Sequence, residues 1–341
     1  MRRIRYTRVG APSVLELVDA PIPEPGYGEV RLRVMVSGVN PTDWKSRSGA
    51  FGGDIREATV PNHDGAGVVD QVGAGVDGLQ VGDRVWVTLA GDGRPTGGTA
   101  QELTVVPSDR VFRLPAGADF DLGASTGIPA LTAHRALTVG EDGPARLGPG
   151  ALTGRTVLVA GGAGAVGNAA IQLARWAGAR VIATVSQEPK ARLAAAAGAH
   201  HIVNYREPGA ADTIRQLAPD GVDLVVEVAA AANSELDLAV LRTRGTVAIY
   251  ANDGGAPVNL DVRRSMALNV RYQFILLYTV GWGWLADAAA DINQAISDRA
   301  FRVGEDAGLP LHRYPLEDTS AAHAAVENST TGKILITVNS D

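Results

Sequence analysis

The chain has 341 residues, 45% hydrophobic and 20% charged, with a formal net charge of −6. This composition suits an ordinary globular protein of about two domains and excludes a disordered or collagen-like chain; the acidic balance offers no surface for a nucleic-acid backbone, no apolar run reaches the roughly 18 residues of a membrane span, and the basic start Met1-Arg-Arg-Ile-Arg5 lacks the apolar stretch expected of a secretory leader. There is no cysteine, so disulfides, Cys-ligated zinc, iron–sulfur clusters and thiol nucleophiles are excluded together, and a cytoplasmic enzyme is expected.

In chain order, the first third reads as short β segments between turns. Val30–Val36 alternates as a half-buried strand, and 65–72, 84–89 and 101–106 follow as strand candidates separated by Gly, Asp and Pro. Turn-rich β structure of this kind predicts a small barrel-like domain. From Ser125 the pattern changes. A helix is expected over 125–137 and a Gly/Pro-rich loop over 139–154. Strand and helix signals then alternate: runs at 156–160, 180–185, 201–204, 223–228 and 246–250, with helices at 165–177 and 191–197. That alternation predicts βαβ units around a buried parallel sheet. Val270–Val280 reads as a further long apolar strand. A helix (287–297), a strand (311–316), a helix (319–327) and a strand (334–338) close the chain. The expected division is 1–124 as a β-rich domain, 125–265 as the α/β domain with an edge strand reaching about 280, and 281–341 returning to complete the first domain.

The strongest motif is Gly161-Gly-Ala-Gly-Ala-Val-Gly167, in which Gly162, Gly164 and Gly167 give GxGxxG. It follows an apolar strand and opens a helix, the context a dinucleotide site requires. One glycine makes the turn, another lets backbone approach a pyrophosphate, and the third lets helix pack on strand. Free N–H groups at the helix start then face the diphosphate. Ala163, Ala165 and Val166 complete the loop. At the tip of the next strand an NAD site carries an acid for the ribose 2′-OH. Here the strand ends Thr184-Val-Ser186-Gln187 and Lys190 follows. A hydroxyl and a cation suit a 2′-phosphate, so NADPH is expected, with Tyr205 and Arg206 as further candidates.

Several segments taken together resemble the quinone oxidoreductase/zeta-crystallin branch of the medium-chain dehydrogenase/reductases. They are Gly38-Val-Asn-Pro-Thr-Asp43 with Arg47-Ser-Gly49, Val81-Gly-Asp-Arg-Val85, Gly127-Ile-Pro129 with Thr132 and Arg135-Ala-Leu137, the glycine loop, Gly198-Ala199, Asn204-Tyr-Arg-Glu207 and Thr331-Gly-Lys333. The resemblance implies an α/β fold: a GroES-like irregular β-barrel catalytic domain, a doubly wound Rossmann domain, and an active site in the cleft between them. It implies NADPH with its pyrophosphate held by Ala163–Gly167, with Ser186, Lys190 and Tyr205 around the 2′-phosphate, Asn233 and Lys333 also touching the cofactor, and Asn40 near the nicotinamide. It implies a homodimer joined through the Rossmann edge strands, here 270–277. Lys45, with Trp44 beside it, departs from an aromatic often found there, and Tyr250-Ala-Asn-Asp-Gly-Gly255 is more acidic than its counterpart in the family.

Pro61-Asn-His-Asp-Gly-Ala-Gly67 is similar to a segment of the zinc alcohol dehydrogenases. A catalytic zinc needs three protein ligands; the zinc branch takes one from a Cys before Asn40, and this chain has none, so no metal is expected and His63 is read as shaping the cleft. Without a Lewis acid, hydride transfer to an activated acceptor is the chemistry that remains. A quinone or α,β-unsaturated carbonyl takes hydride at carbon and needs only a hydrogen-bond donor at oxygen and a proton source. Asn40, Lys45 and Tyr278 are the candidates. Tyr272, Phe274, Tyr278, Trp282 and Trp284 cluster within thirteen residues; the first two read as core and dimer edge, while Tyr278, Trp282 and Trp284 could wall a pocket for a planar acceptor, with Trp44 and His63 as further pocket candidates. The expected function is an NADPH-dependent reductase of a small-molecule quinone or enone. The alternatives are a dedicated enoyl or enone reductase of a natural-product pathway and a catalytically weak NADPH-binding protein of the crystallin type.

Overall fold

The computed structural model describes residues 1–52, 55–252, 255 and 257–339, which form two compact units, Met1–Ile128 with Leu311–Asp341 and Pro129–Pro310. The first unit opens with β1 (Arg2–Arg5), β2 (Glu16–Asp19), β3 (Glu29–Val39), α1 (Pro41–Ser48), β4 (Asp64–Val72), β5 (Arg84–Val87), β6 (Leu103–Pro107), β7 (Val111–Arg113) and α2 (Phe120–Leu137). The second holds β8 (Thr156–Ala160), α3 (Ala165–Trp176), β9 (Arg180–Val185), α4 (Glu188–Ala196), β10 (His201–Asn204), α5 (Ala210–Leu217), β11 (Val222–Glu227), α6 (Ala230–Val240), β12 (Leu241–Ile249), α7 (Val262–Leu268), β13 (Arg271–Phe274) and α8 (Trp282–Ser297). The chain then returns to the first unit with β14 (Leu311–Pro315), α9 (Thr319–Glu327) and β15 (Lys333–Thr337).

The first unit is built on β3. It pairs β4 along its length, β6 through Glu29–Arg33 and β15 through Val36–Val39, in a mostly antiparallel sheet of order β14-β15-β3-β4-β5-β7. Its first half alternates buried Val30, Leu32 and Val34 with more exposed Glu29, Arg31 and Arg33, whereas Met35–Val39 is buried throughout. The change of pattern marks where one face stops meeting solvent. The second unit is a parallel sheet of order β10-β9-β8-β11-β12-β13, the doubly wound order whose direction reverses between β8 and β11. β8, β9 and β11 are apolar runs because both faces are covered by helices.

The chain passes between units inside α2, where Gly127 takes φ −37° and ψ −105° ahead of Pro129. Proline has no N–H to give the preceding turn and its ring crowds that turn; the non-helical backbone falls two residues ahead of it, at Gly127. The amide of Ile128, released from the ladder, donates instead to Asp64 Oδ2 at 2.8 Å.

Three expectations need correction. The return to the first unit falls at Leu311 rather than 281. Asn168 Nδ2 donates to Ala307 O at 2.7 Å, and Gln172 exchanges bonds with Arg302 O and N at 2.9 and 3.0 Å. These two buried polar side chains of α3 tie 302–307 to the second unit, a non-local contact without a local sequence signal. The long strand expected over 270–280 is a strand only at Arg271–Phe274, followed by a 3₁₀ turn at Leu277–Thr279. Finally, α8 begins at Trp282 rather than 287. Its Asp291 accepts His134 Nε2 and the Leu147 amide, both at 2.8 Å, together with the Arg146 guanidinium. Burial pushes the Asp291 carboxyl up, but bonds from His134 and Arg146 prevail and hold it at about 2. The Gly/Pro-rich loop 139–154 is thereby fastened to α8.

Candidate functional site

The glycine loop joins β8 to α3 as expected. Gly161 sits at φ +67°, which favours glycine. A Cβ on Gly167 would lie 2.4 Å from Gly161 O, and one on Gly162 2.9 Å from Ala183 Cβ. Both positions therefore exclude a side chain, and the cradle stays bare backbone. Gly164 caps α3 with no side-chain bond to its first amides, leaving those N–H groups to an anion. This is what a diphosphate requires. Ser186 follows β9, Lys190 lies in the first turn of α4, and Tyr205 follows β10, where its amide donates to Val185 O at 3.1 Å. The three thus stand along the carboxyl edge of adjacent strands. The Tyr205 ring is exposed and Ser186 and Lys190 are half-buried. Asn233, on α6, donates through Nδ2 to Glu227 Oε1 and Oε2 at 3.0 and 3.1 Å. Of the acidic stretch 250–255, Asp253 and Gly254 lie outside the described residues.

In the first unit the structure draws Asn40 and Lys333 into a buried charged cluster. Residue 40 follows the last residue of β3 and caps α1. Pairing of β15 with β3 sets Ile334 opposite Val39, and pairing of β3 with β4 sets Asp64 opposite Gly38. Three distant segments therefore converge. Lys333 Nζ donates to Asn40 Oδ1 at 2.7 Å, and Asn40 Nδ2 donates to Asp64 Oδ2 at 2.7 Å. Thr88 Oγ1 donates to Asp64 Oδ1 at 3.1 Å, and Ile128 N completes the shell. Asp43 accepts the Asn40 amide at 2.6 Å and the His63 amide at 3.1 Å. Asn40, Asp43, Asp64 and Lys333 are all buried, none more than 3% exposed. Burial pushes Asp43 up to about 8, and pushes Asp64 up against the opposing pull of Lys333. Burial likewise lowers the Lys333 ammonium, opposed by Asp64 and Asp43. The arrangement is a fixed cation and a fixed anion gripping the two ends of one carboxamide, out of water, where each interaction counts for more. Lys333, expected at the cofactor, is thus placed where it grips Asn40.

A polar chain supports this cluster from α9. His323 Nε2 donates to Asn62 Oδ1 at 2.9 Å, and Asn62 Nδ2 donates to Ser37 Oγ at 2.9 Å. Thr99 spends its proton on Asp64 O at 2.6 Å, so the 2.7 Å contact between the hydroxyls has Ser37 as donor. Asn62 sits in the left-handed region at φ 75°, which asparagine tolerates. Burial, and secondarily Arg47, pushes the His323 imidazole down to about 3. A neutral histidine of this kind contributes stability that is full above its unfolded pKa of about 6.5 and is lost as pH falls from there toward 3. His323→Gln is accordingly expected to be less stable than wild type at pH 7.5, with the gap narrowing by about 1.4 kcal/mol per pH unit between 6 and 4.5; urea titrations at several pH values measure it, and a constant gap contradicts it.

The remaining expected residues fall as follows. Lys45 lies on α1 with Nζ 5.8 Å from the Trp44 ring centre. His63 precedes β4 as a neutral imidazole, pushed down to about 4 by burial and then Arg110. Tyr278 lies in the 3₁₀ turn of the second unit, half-buried. Trp284 packs edge-on against His134 at 5.4 Å, with the Arg135 guanidinium 5.3 Å from its ring centre, and Trp282 opens α8 half-buried. Sequence reasoning missed Asp43, Asp64, Thr88 and Gly127. A signal existed for Asp43: an Asn followed three residues later by an acid ahead of a helix is a capping pattern.

Among the described residues no group of three or more His, Cys, Asp or Glu is arranged to hold a metal ion. Residues 26–116 match the model of the alcohol dehydrogenase GroES-like domain, and 165–294 match that of the zinc-binding dehydrogenases. The chain is 32% identical over 340 residues to the quinone oxidoreductase of Lama guanicoe, an alignment covering 98% of this chain and 97% of that one. A mycobacterial protein solved in complex with NADPH superposes with a TM-score of 0.83 at 32% identity over 99% of each chain. The Escherichia coli quinone oxidoreductase complexed with NADPH gives 0.82 at 25% identity over 99% of this chain and 100% of that one.

Proposed function

The chain belongs to the quinone oxidoreductase family, and from that premise we propose that it is an NADPH-dependent reductase delivering hydride, without a metal, to a small-molecule quinone or α,β-unsaturated carbonyl. NADPH, when bound, supplies the hydride. The chain's own residues bind and orient. The bare glycine cradle and the uncapped start of α3 accept the diphosphate. Ser186, Lys190 and Tyr205 accept the 2′-phosphate.

The observation that carries the metal-free reading is the Lys333–Asn40–Asp64 chain. As hydride reaches carbon, negative charge appears on the acceptor's oxygen, and a polarised N–H donor fixed beforehand stabilises it. The Lys333 ammonium draws electron density through the Asn40 carboxamide from Oδ1, and Asp64 takes one of its two amide protons, so the other N–H is the donor left for the acceptor. A buried cation thus performs at second hand what a Lewis acid performs directly. Lys45 and Tyr278 are the candidate proton sources to complete reduction. Quinone and enone differ only in which carbon takes the hydride, so this chemistry serves both; an enoyl reductase of a biosynthetic pathway is the same reading with a narrower substrate. The edge strand β13 exposes Phe274, 65% accessible, and Leu276 just beyond it is 58% accessible, which supports pairing with a second copy, since a bare apolar edge otherwise invites aggregation.

NADPH and NADH consumption over a panel of quinones and enones, with EDTA present, tests the function, and light scattering on the same sample tests the pairing. NADPH-linked turnover is the expected result; tight binding without turnover of any acceptor would favour a cofactor-binding protein. Lys190→Ala is expected to raise KM for NADPH about tenfold or more, the worth of a charged hydrogen bond, and to leave NADH nearly unchanged. An equal loss for both cofactors overturns the 2′-phosphate assignment.

A further inference from the structure

The second unit buries a pair of carboxyl groups that the reading above does not use. Glu227 ends β11 and is fully buried, and Asp237 lies on α6, 4% exposed. The two are hydrogen-bonded to each other. Glu227 also accepts the Ala229 amide and both contacts from Asn233 Nδ2. Asn252 Oδ1 accepts the Ala231 amide at 2.9 Å, and residues 229 and 252 form an isolated antiparallel bridge. The loop between β11 and α6 is therefore fastened on both sides. Two carboxyls in contact cannot both ionise cheaply. Glu227 faces amide donors, which an anion satisfies, and Asp237 faces an acceptor, which only a protonated acid satisfies. The assignment is Glu227 as the carboxylate and Asp237 as the acid; burial, then the Glu227 charge, raise Asp237 well above the usual carboxylate range.

The place of this pair in the sheet gives it a use. A Cβ on Gly161 would stand 3.1 Å from Val228 Cγ1, so the residue after Glu227 touches the glycine loop. With strand order β10-β9-β8-β11-β12-β13, the crevice for a dinucleotide opens between the carboxyl ends of β8 and β11. A cofactor whose pyrophosphate lies on α3 and whose adenosine phosphate lies over β9 and β10 has only β11 and β12 left for its nicotinamide half.

We propose that Glu227 is a fixed anion beneath the nicotinamide half of the cofactor, that it positions the β11–α6 loop through Asn233 and the Ala229 amide, and that Asp237 keeps it charged by donating a hydrogen bond. The inference rests on the NADPH reading above. The dihydronicotinamide ring is neutral. When hydride leaves with both electrons for the acceptor carbon, the ring becomes a cation, and the acceptor gains the electron pair and then a proton. A negative charge held under the ring favours the oxidised form and so the departure of hydride. Glu227 is a positioning and electrostatic residue; it touches no reacting atom in this assignment.

The test is the ratio of NADP⁺ to NADPH affinity, measured by NADPH fluorescence titration and displacement by NADP⁺. Glu227→Gln is expected to weaken NADP⁺ relative to NADPH by at least about tenfold, which is what one unit charge is worth at an effective dielectric near 20 even from roughly 12 Å, and to lower kcat while the acceptor's KM stays put. Asp237→Asn still donates a hydrogen bond to Glu227 and is expected to keep the wild-type ratio. Asn233→Leu releases the loop without touching the charge and is expected to weaken both cofactor forms by the same factor. Should Glu227→Gln fail to fold, Glu227→Asp, which withdraws the charge by one methylene, is expected to shift the ratio in the same direction by a smaller factor. A Glu227→Gln variant that loses both affinities equally, or neither, overturns the proposal while leaving the NADPH reading standing. A wild-type chain that binds neither nucleotide overturns both.

Discussion

Lys333→Met should cut kcat about a hundredfold and lower the melting temperature of the protein by roughly 10 °C. The two effects have separate causes. Met keeps the packing volume of the lysine stem but removes the charge bonded to Asn40 Oδ1. Asp64 and Asp43 are then left as buried carboxyls with their counter-charge gone. Breaking a buried pair by deleting one partner costs about 3–5 kcal/mol, because the surviving charge is uncompensated. The loss in kcat comes instead from a carboxamide no longer polarised or held at its acceptor end. A second substitution separates the two. Asp64→Asn added to Lys333→Met removes the orphaned charge, so thermal stability should recover by more than half. Activity should not, since nothing again polarises Asn40. Lys333→Arg keeps the charge but cannot place one small ammonium on Oδ1 in so confined a space, and should give an intermediate kcat. Calorimetry and steady-state kinetics on these variants decide the matter. A Lys333→Met protein with depressed stability but wild-type kcat would reduce Lys333 to a structural residue and remove the main support for a metal-free mechanism.

How much of this was legible in the sequence depends on where the information sits. The second unit was readable because its strands are buried on both faces, which writes them as short unbroken apolar runs such as Thr156–Ala160 and Arg180–Val185. The glycine loop was readable because close approach of backbone to backbone leaves only glycine, as at Gly167. The charged cluster was not readable as a cluster. Asn40, Asp64 and Lys333 each look like ordinary polar residues near strand ends, and they meet only through the register of β3 with β4 and of β3 with β15, across 293 residues between Asn40 and Lys333. Asp64 was visible only as the neighbour of a would-be zinc ligand. The late return at Leu311 was hidden for the same kind of reason: the ties are amide side chains of Asn168 and Gln172 inside a helix otherwise read by its apolar spacing. Trp282 and Trp284 misled by composition. They open α8, and Trp284 packs on His134 and Arg135, a contact set by a helix start five residues earlier than the apolar pattern suggested.

The second large effect concerns a residue with no side chain. Gly127→Ala should destabilise the protein by about 3 kcal/mol or more and remove most activity. The ideal Cβ at this position falls 2.1 Å from Asp64 Oδ1 and 2.4 Å from Asp64 Cγ. The carboxyl cannot simply swing aside, because Asn40, Thr88 and the Ile128 amide hold it. The backbone cannot readily yield either, since the ψ of −105° at Gly127 is what turns the Ile128 amide out of the α2 ladder and onto Asp64. Any relief therefore breaks a bond to Asp64, and through Asp64 loosens Asn40. This is a steric route to the same carboxamide that Lys333→Met reaches electrostatically. If both act there, their effects on kcat should combine to less than the product of the two separate losses, as expected for residues in one network. Gly148→Ala serves as the control: its Cβ would meet nothing within 4 Å and its φ is not in the left-handed region, so stability should stay within about 0.5 kcal/mol of wild type. A Gly127→Ala protein as stable and active as the Gly148→Ala control would mean that the α2 kink and the Asp64 carboxyl are independent, and that the anion behind Asn40 can be moved without consequence for catalysis.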